Sequence, residues 1–316
     1  MLPTADLLAR VVALIGEVRP AVVCFGAAVP LGLLAGRITR ATGVPCVGFT
    51  HGVEVAAGRV LLGRVARDLR MVTAVSRWSA RRVERAVRGR CPVELLYSGV
   101  ALDSYHPGVD GAAVRARYGL TGLPVCVCVS RLVPRKGQDR LIRAWPEVVA
   151  RVPDAQLLLV SGGPDEARLR RLAAAGPVAA QVHFTGEVPW AELPAHYAAG
   201  DVFAMPCRTR WFGLDVEALG AVYLEAAAVG LPVVAGRSGG APETLVDGVT
   251  GLLVDGSRSG QVARAVAELL GDPQRARAMG AAGRRRVEAE FAWEAIVARL
   301  ERLLERAAAP ELEPRG

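Results

Sequence analysis

The chain has almost no lysine. Of its 39 cationic side chains 38 are arginine, and the single lysine, Lys136, lies in the segment 130–139. Lysine is a compact charge on a flexible stem, and Arg131 supplies a planar fork five residues earlier, so both suit phosphate oxygens. The pair indicates a diphosphate-binding site. From the lysine alone, a chance cation in a solvated turn is an equally good interpretation.

The sequence also lacks the marks of metal sites, secretion and membrane spans. The six cysteines show no C-x-x-C spacing, and neither they nor the four histidines are spaced as metal ligands. No basic segment of a signal peptide opens the chain. The longest uncharged stretch, 20–36, is short for a bilayer span and contains Gly26 and Pro30. We expect a reduced cytoplasmic protein without a metal ion, in contact with a membrane only peripherally, at its inner face.

Positive charge is concentrated between Arg59 and Arg90. This stretch holds ten arginines against Asp68 and Glu84. A cationic face of this kind attracts anionic lipid headgroups, although the charge pattern alone is explained better by an arginine-biased composition that solvates two helices. We expect a possible anionic membrane surface as partner, and no nucleic acid.

Short apolar runs alternate with helical patterns along the chain. Because these runs lack polar alternation, they predict strands covered on both faces, as in the parallel sheets of doubly wound α/β folds. A helix is predicted over 5–16, and others fit between the strands, for example over 77–88, 137–150, 165–175, 218–229, 258–271 and 292–308. The predicted strands are Ala21–Phe25, Val44–Thr50, Met71–Val75, Val93–Tyr97, Val125–Ser130, Gln156–Ser161, Val182–Thr185, Val202–Met205, Pro232–Ala235 and Gly251–Val254.

The strands predict two sheets, of four and six strands. At 316 residues two domains are expected. We place an N-terminal domain at 1–112, a C-terminal domain at 113–290, and a final helix and tail at 291–316 that return toward the first domain. The chain opens with a helix, whereas a nucleotide-type domain begins with a strand and a glycine-rich turn. The N-terminal domain is therefore expected to be incomplete, with an upstream extension in the native protein.

Two glutamates, Glu217 and Glu225, are separated by seven residues. With Glu217 in a loop and Glu225 two turns into the next helix, about 12 Å of rise would separate them. Carboxylates accept hydrogen bonds from vicinal hydroxyls, and the N–H groups at the helix start can receive a phosphate. The pattern predicts an elongated ligand with a sugar at each end. The alternative is a helix-dipole partner followed by a solvated helix residue.

Together these segments resemble a known family. The stretches 129–146 and 206–245, with Thr50-His51-Gly52, are similar to the actinobacterial PimB-type phosphatidylinositol mannoside mannosyltransferases. These are retaining glycosyltransferases of family 4. The resemblance runs from about residue 18 to 305. It implies the GT-B architecture, an α/β fold with two doubly wound Rossmann-like domains that face a cleft.

The resemblance also implies roles for single residues. Arg131 and Lys136 would bind the donor diphosphate and stabilise the leaving group, and Glu217 would contact hydroxyls of the transferred hexose. The remaining correspondences place a nucleobase, a phosphate, a ribose and the donor sugar. The main chain at Val188 would meet the nucleobase, and the backbone of Leu219 and Gly220 would lie near a phosphate. The carboxylate of Glu225 would hold the ribose, and His51 of the N-terminal domain would face the donor sugar.

Three departures from the family pattern stand near these residues. Trp211-Phe212-Gly213 occupies a loop that is glycine-rich in the family, Ala218 replaces a usual glycine, and Val53 replaces a polar residue. The bulk at 211 and 212 is expected to reshape the acceptor mouth.

The resemblance implies a retaining hexosyltransferase of cell-envelope glycolipid biosynthesis. It would move mannose from GDP-mannose to a lipid-linked or glycan acceptor such as a phosphatidylinositol mannoside. The nucleotide sugar is a co-substrate, and no cofactor is expected. Two alternatives stay open: a GT-B sugar-nucleotide epimerase, and a truncated protein that binds nucleotide sugar without turnover.

Overall fold

Two parallel sheets form the framework of the protein. The computed structural model describes residues 4–52 and 58–309. The chain divides into two compact units, Met1–Ser98 with Glu294–Gly316, and Gly99–Trp293. The domain boundaries expected after residues 112 and 290 stay a prediction about separately folding domains.

The first unit holds a four-stranded parallel sheet in the order β1-β2-β3-β4. Its strands are β1 Val23–Phe25, β2 Cys46–Thr50, β3 Met71–Ala74 and β4 Val93–Leu95. The helices are Ala5–Val18, Ala35–Thr42, Arg59–Val65, Arg77–Val87 and Trp293–Ala308.

Capping and apolar packing explain where these helices lie. Thr4 accepts a hydrogen bond from the Leu7 N–H, and Ser76 forms a capping box with Ser79, so both helices start where free N–H groups find partners. The C-terminal helix packs its apolar face, through Ile296 and Leu303, against a core that includes β2 and β3 residues.

The second unit holds a six-stranded parallel sheet in the order β10-β9-β8-β5-β6-β7. Its strands are β5 Val125–Val129, β6 Gln156–Val160, β7 Val182–Phe184, β8 Val202–Met205, β9 Val233–Gly236 and β10 Gly251–Val254. The helices are Ala112–Arg117, Gln138–Arg151, Glu166–Ala174, Leu193–Ala198, Ala221–Val229, Ser259–Gly271 and Pro273–Glu290. All residues of β5, β8 and β9 are buried, as expected for strands covered on both faces.

All ten predicted strands are confirmed, and no strand end differs from its predicted position by more than two residues. One predicted helix differs more, and one long helix had no predicted range. The helix predicted over 218–229 begins at Ala221, because Gly220 at φ 91° takes the left-handed conformation that precedes it. The helix Pro273–Glu290 was not predicted, although Asp272 caps it and Pro273 stands at its first position, a sequence signal for a helix start.

The order of the second sheet creates a switch point. From β5, the chain adds β6 and β7 on one side and β8, β9 and β10 on the other. In open parallel sheets, ligands bind outside the carboxyl ends of the strands at such a point. The loops that follow β5 and β8 are therefore expected to form a binding site.

Candidate active site

The loop after β5 directs the single lysine inward. A short 3₁₀ turn, Pro134–Lys136, leads to Gly137 at φ 86° and then into the helix Gln138–Arg151. A Cβ at Gly137 would overlap the carbonyl oxygen of Pro206 in the loop after β8. Glycine is required here both for backbone conformation and for close approach. As a result Lys136 is only 8% exposed.

Gln138 braces the same loop. Its buried amide donates hydrogen bonds to the Ser130 Oγ at 2.8 Å and to the Arg131 carbonyl at 3.2 Å. The backbone at Arg131 is therefore tied to the helix start, while the guanidinium side chain stays exposed.

This rigidity gives a stability prediction for Gly137→Ala. The left-handed backbone should cost about 1–2 kcal/mol, and the overlap with Pro206 should add to it. Gly119→Ala is the matched control, because Gly119 also has positive φ, at 67°, but no atom within 4 Å of an added Cβ. Chemical denaturation should show the larger loss of unfolding free energy for Gly137→Ala. Equal losses would contradict the close approach.

Lys136 meets Glu217, which follows β8. Its Nζ lies 2.7 Å from the Glu217 Oε2, and Glu217 is 6% exposed. The contact is an ion pair between a nearly buried ammonium and a buried carboxylate. Arg135 lies 3.8 Å from the same oxygen through its Nε. Sequence reasoning predicted Lys136 and Glu217 as site residues and missed Arg135.

The backbone of Glu217 is held by the loop after β9. Its N–H donates to the Ser238 Oγ at 3.3 Å, and its carbonyl accepts from the Gly240 N–H at 2.9 Å. A Cβ at Gly239 would overlap that carbonyl oxygen. Loops after three adjacent strands thus fix one carboxylate.

Other cations near Glu217 are paired with nearby carboxylates. Arg208 makes a bidentate contact with Asp139, at 2.8 and 3.1 Å. Asp215 lies 3.3 Å from Arg210 and 3.7 Å from Arg135. Asp215 is thus shared by two arginines, and Glu217 by Arg135 and Lys136, so these cations are only partly neutralised and can receive further negative charge.

Glu225 lies on the helix Ala221–Val229 and is half-buried. The Tyr197 hydroxyl donates to its Oε2 at 2.5 Å. Burial raises the pKa of the Glu225 carboxyl above its ordinary value, while the hydrogen bond from Tyr197 and the charge of Lys136 act in the opposite direction. Glu217 and Glu225 are thus both in the field of Lys136. The role of Tyr197 had no sequence signal.

Leu219 and Gly220 are buried in the turn before this helix. The helix predicted from residue 218 begins three residues later, at Ala221, so Leu219 and Gly220 precede it instead of lying within it. The backbone N–H groups of the first turn still lie at the carboxyl-end side of the sheet, where a phosphate is expected.

Val188 follows β7 and is half-buried. The turn before it is tied to the end of β6, since the Ser161 N–H donates to the Gly186 carbonyl at 3.1 Å. Val188 therefore lies at the same edge of the sheet as the loops after β5 and β8. Its contact with a nucleobase stays a prediction.

His51 belongs to the first unit. It follows β2, is exposed, and its Nε2 lies 2.7 Å from the Gly26 carbonyl after β1. The departure noted at Val53 lies outside the described residues. The role of His51 toward a donor sugar stays a prediction.

The loop Trp211–Gly213 carries exposed aromatic side chains. Trp211 is 65% exposed and Phe212 fully exposed, both with positive φ. The two ends of this loop are joined by a hydrogen bond from the Arg210 N–H to the Asp215 carbonyl at 2.8 Å. These rings stand close in sequence to Glu217, and their effect on the acceptor stays a prediction.

Across 4–52 and 58–309, no cluster of three His, Cys, Asp or Glu is placed to hold a metal ion. In that part of the chain no helix is both long and apolar enough to cross a membrane. All six cysteines are free thiols, and Cys24 is exposed.

Comparison with known proteins identifies the family. Residues 113–286 match the model of glycosyl transferases group 1. The chain belongs to this family. It is thus a glycosyltransferase, as the resemblance predicted.

The family members most similar in sequence include two mannosyltransferases. The chain is 51% identical to the GDP-mannose-dependent alpha-(1-6)-phosphatidylinositol monomannoside mannosyltransferase of Mycolicibacterium smegmatis, over 96% of this chain and 81% of that protein. It is 45% identical to the GDP-mannose-dependent enzyme for the monoacylated monomannoside from Corynebacterium glutamicum, with 96% and 81% covered.

A solved structure supports the fold of this glycosyltransferase. Anabaena HepE in complex with UDP matches with a TM-score of 0.84 at 23% identity, over 96% of this chain and 82% of that one. The predicted GT-B fold, with two Rossmann-like parallel-sheet domains, is confirmed.

Proposed function

We propose that this glycosyltransferase moves mannose from GDP-mannose to a phosphatidylinositol mannoside, with retention at the anomeric carbon. The observation that carries the proposal is the ion pair of the single lysine with Glu217 at the switch point, 2.7 Å between Nζ and Oε2. The names and identities of the two mannosyltransferases support the donor and the acceptor class. The proposal includes peripheral binding at the inner face of the cell membrane.

The ion pair of Lys136 with Glu217 suits a site that binds and releases an anion. A buried ammonium without a partner is costly, and Glu217 offsets that cost in the empty site. An ammonium has three donors. Lys136 is proposed to keep Glu217 while it donates to the diphosphate, and Arg131, exposed nearby, to add a planar fork.

The proposed roles of the other residues follow the edge of the sheet. Glu217 accepts hydrogen bonds from hexose hydroxyls, the backbone at Leu219 and Gly220 lies near the phosphate, and Glu225 accepts from the ribose. The main chain at Val188 meets the base, and His51 of the first unit serves the donor sugar.

Transfer then proceeds without a protein nucleophile. The bond between the anomeric carbon and the diphosphate oxygen breaks, and negative charge grows on that oxygen, where Arg131 and Lys136 stabilise it. The acceptor hydroxyl forms the new bond on the same face. Its proton passes to the departing phosphate oxygen, so that GDP and the mannosylated lipid are the products.

The proposal is tested by incubation with radiolabelled GDP-mannose and a phosphatidylinositol monomannoside. We expect label in the lipid phase, and much less with UDP-glucose as donor. The alternatives have other signatures. An epimerase would convert the sugar nucleotide without acceptor, and a binding protein would retain GDP-mannose without turnover.

An arginine pocket in the first unit supports membrane association. Five exposed arginines, from the helix Arg59–Val65 to the turn after Val87, line a cavity of about 700 Å³. They are Arg59, Arg64, Arg67, Arg88 and Arg90. Val60 beside them is 90% exposed. We propose that this pocket binds anionic lipid headgroups through their phosphates.

Vesicle binding should therefore depend on these arginines. The triple variant Arg64→Glu, Arg67→Glu, Arg88→Glu should lose sedimentation with vesicles that contain phosphatidylinositol, because each basic residue near the surface contributes about 1 kcal/mol at low salt. The matched control reverses three exposed arginines of the second unit, Arg171, Arg277 and Arg285. The proposal for this pocket would be refuted if both triple variants lost vesicle binding equally, or if the wild-type protein bound neutral vesicles as well as anionic ones.

A further inference from the structure

A cluster of aromatic rings lies behind Glu225. Tyr197 is fully buried, and its ring stacks on Phe203 with centroids 5.7 Å apart. Tyr105 meets it edge-on, also at 5.7 Å. Phe203 in turn contacts Tyr223 edge-on at 5.9 Å. With its ring held on both sides, Tyr197 has little freedom to turn its hydroxyl elsewhere.

The Tyr197 hydroxyl donates a hydrogen bond to the Glu225 Oε2 at 2.5 Å. A phenol has a single proton to donate, so this proton is committed to the carboxylate. Hydrogen bonds to ionised acceptors are shorter and stronger than neutral ones, and they favour the charged form of the acceptor. One oxygen of Glu225 is thus fixed from behind, which leaves the other for a ligand.

We propose that Tyr197 is a positioning residue, which holds the Glu225 carboxylate ionised and aimed at the ribose of the nucleoside diphosphate. The inference rests on the role proposed above for Glu225. Tyr197 acts through Glu225 and needs no contact with the ligand itself.

The groups that face Glu225 determine how the pKa of its carboxyl should change when the Tyr197 hydroxyl is removed. Burial raises the pKa of this carboxyl, whereas the Tyr197 hydroxyl and the Lys136 ammonium lower it. Tyr105 faces the same carboxylate. The pKa of the Tyr105 phenol is raised mainly by its own burial and, to a smaller extent, by the charge of Glu225. When the Tyr197 hydroxyl is removed, the pKa of Glu225 should rise further, since burial is then less opposed.

The affinity for GDP should depend on the ionisation of Glu225. Only the ionised carboxylate accepts hydrogen bonds with both oxygens, so GDP affinity should fall as pH drops through the pKa of Glu225. In Tyr197→Phe this loss should occur at higher pH than in the wild type. At pH values above it, the affinity should be lower by about 10-fold from lost aim of the carboxylate.

Calorimetric titration with GDP across pH tests the inference. The variants are Tyr197→Phe, Glu225→Gln, and the two combined. The phosphate of GDP titrates in every variant and cancels in the comparison. Because Glu225→Gln has no carboxyl to titrate, Tyr197→Phe should have a much smaller effect in that background.

Tyr223→Phe is the matched control. The Tyr223 hydroxyl is equally buried in the cluster but donates to the Met205 carbonyl at 2.7 Å. Its removal should lower the melting temperature without moving the acid limb of GDP binding. A structural role for Tyr197 would give the same profile as this control.

The outcomes separate the inference from the proposed function. If Glu225→Ala binds GDP as the wild type does, the ribose role of Glu225 fails, and the inference with it. If Glu225→Ala loses affinity but Tyr197→Phe shows no shift of its acid limb, or an equal effect with and without the carboxylate, only the inference is overturned. A shifted limb that vanishes in the Glu225→Gln background supports it.

Discussion

Lys136→Ala should lower the turnover number of mannosyl transfer by about 100-fold or more, as the loss of a donor that stabilises a leaving group does. The reason is the ammonium's position at the switch point, 8% exposed, between the loop after β5 and the buried carboxylate of Glu217. Arg135, 3.8 Å from that carboxylate, remains to neutralise it. We therefore expect only a small decrease in melting temperature. Turnover should be measured at saturating GDP-mannose.

Arg275→Ala is the control for this variant. Arg275 is paired with Glu268 at 2.6 Å on the surface of the same unit, so its loss removes a cation without touching the site. Its turnover should equal that of the wild type. Near-native turnover in Lys136→Ala would eliminate the diphosphate role of the lysine. A melting temperature far below that of the control would assign the lysine to folding instead.

Glu225→Ala and Glu217→Ala should separate binding from transfer. Glu225→Ala should weaken GDP binding by about 10-fold or more, because hydrogen bonds to a charged group contribute about 1.5–3 kcal/mol. Glu217→Ala should leave GDP affinity unchanged or slightly higher, since the ion pair that neutralises Lys136 is gone. Its turnover should nevertheless fall, because contacts with the transferred hexose are lost.

Calorimetry with GDP and UDP, together with turnover at saturating donor, distinguishes the two variants. The conservative changes Glu217→Gln and Glu225→Gln control for cavity effects at the buried Glu217 and the half-buried Glu225. Equal losses of GDP affinity in Glu217→Ala and Glu225→Ala would contradict the arrangement in which one carboxylate serves each end of the donor.

The fold followed from local sequence features. The apolar runs of β5, β8 and β9 are continuous because both faces of these strands are covered, and this made the sheets predictable. The start of the helix at Ala221 was placed too early, since the left-handed Gly220 has no local marker beyond its identity.

The site was only partly predictable for a related reason. Lys136 and Glu217 could be recognised from motifs, but their ion pair depends on β5 and β8 being neighbours in the sheet. Arg135 stood beside the lysine and was overlooked as one arginine among 38. The hydrogen bond of Tyr197 to Glu225 joins two helices distant in sequence, and no periodicity or spacing reports such a contact.

The central claim is retaining transfer of mannose from GDP-mannose, and the most direct measurement is the structure of the product. Purified protein is incubated with GDP-mannose and a phosphatidylinositol monomannoside, the GDP released is counted, and the lipid is examined by NMR. The account predicts one new α-linked mannose for each GDP released. A β linkage, GDP release without mannolipid, or conversion of GDP-mannose to another sugar nucleotide would contradict it.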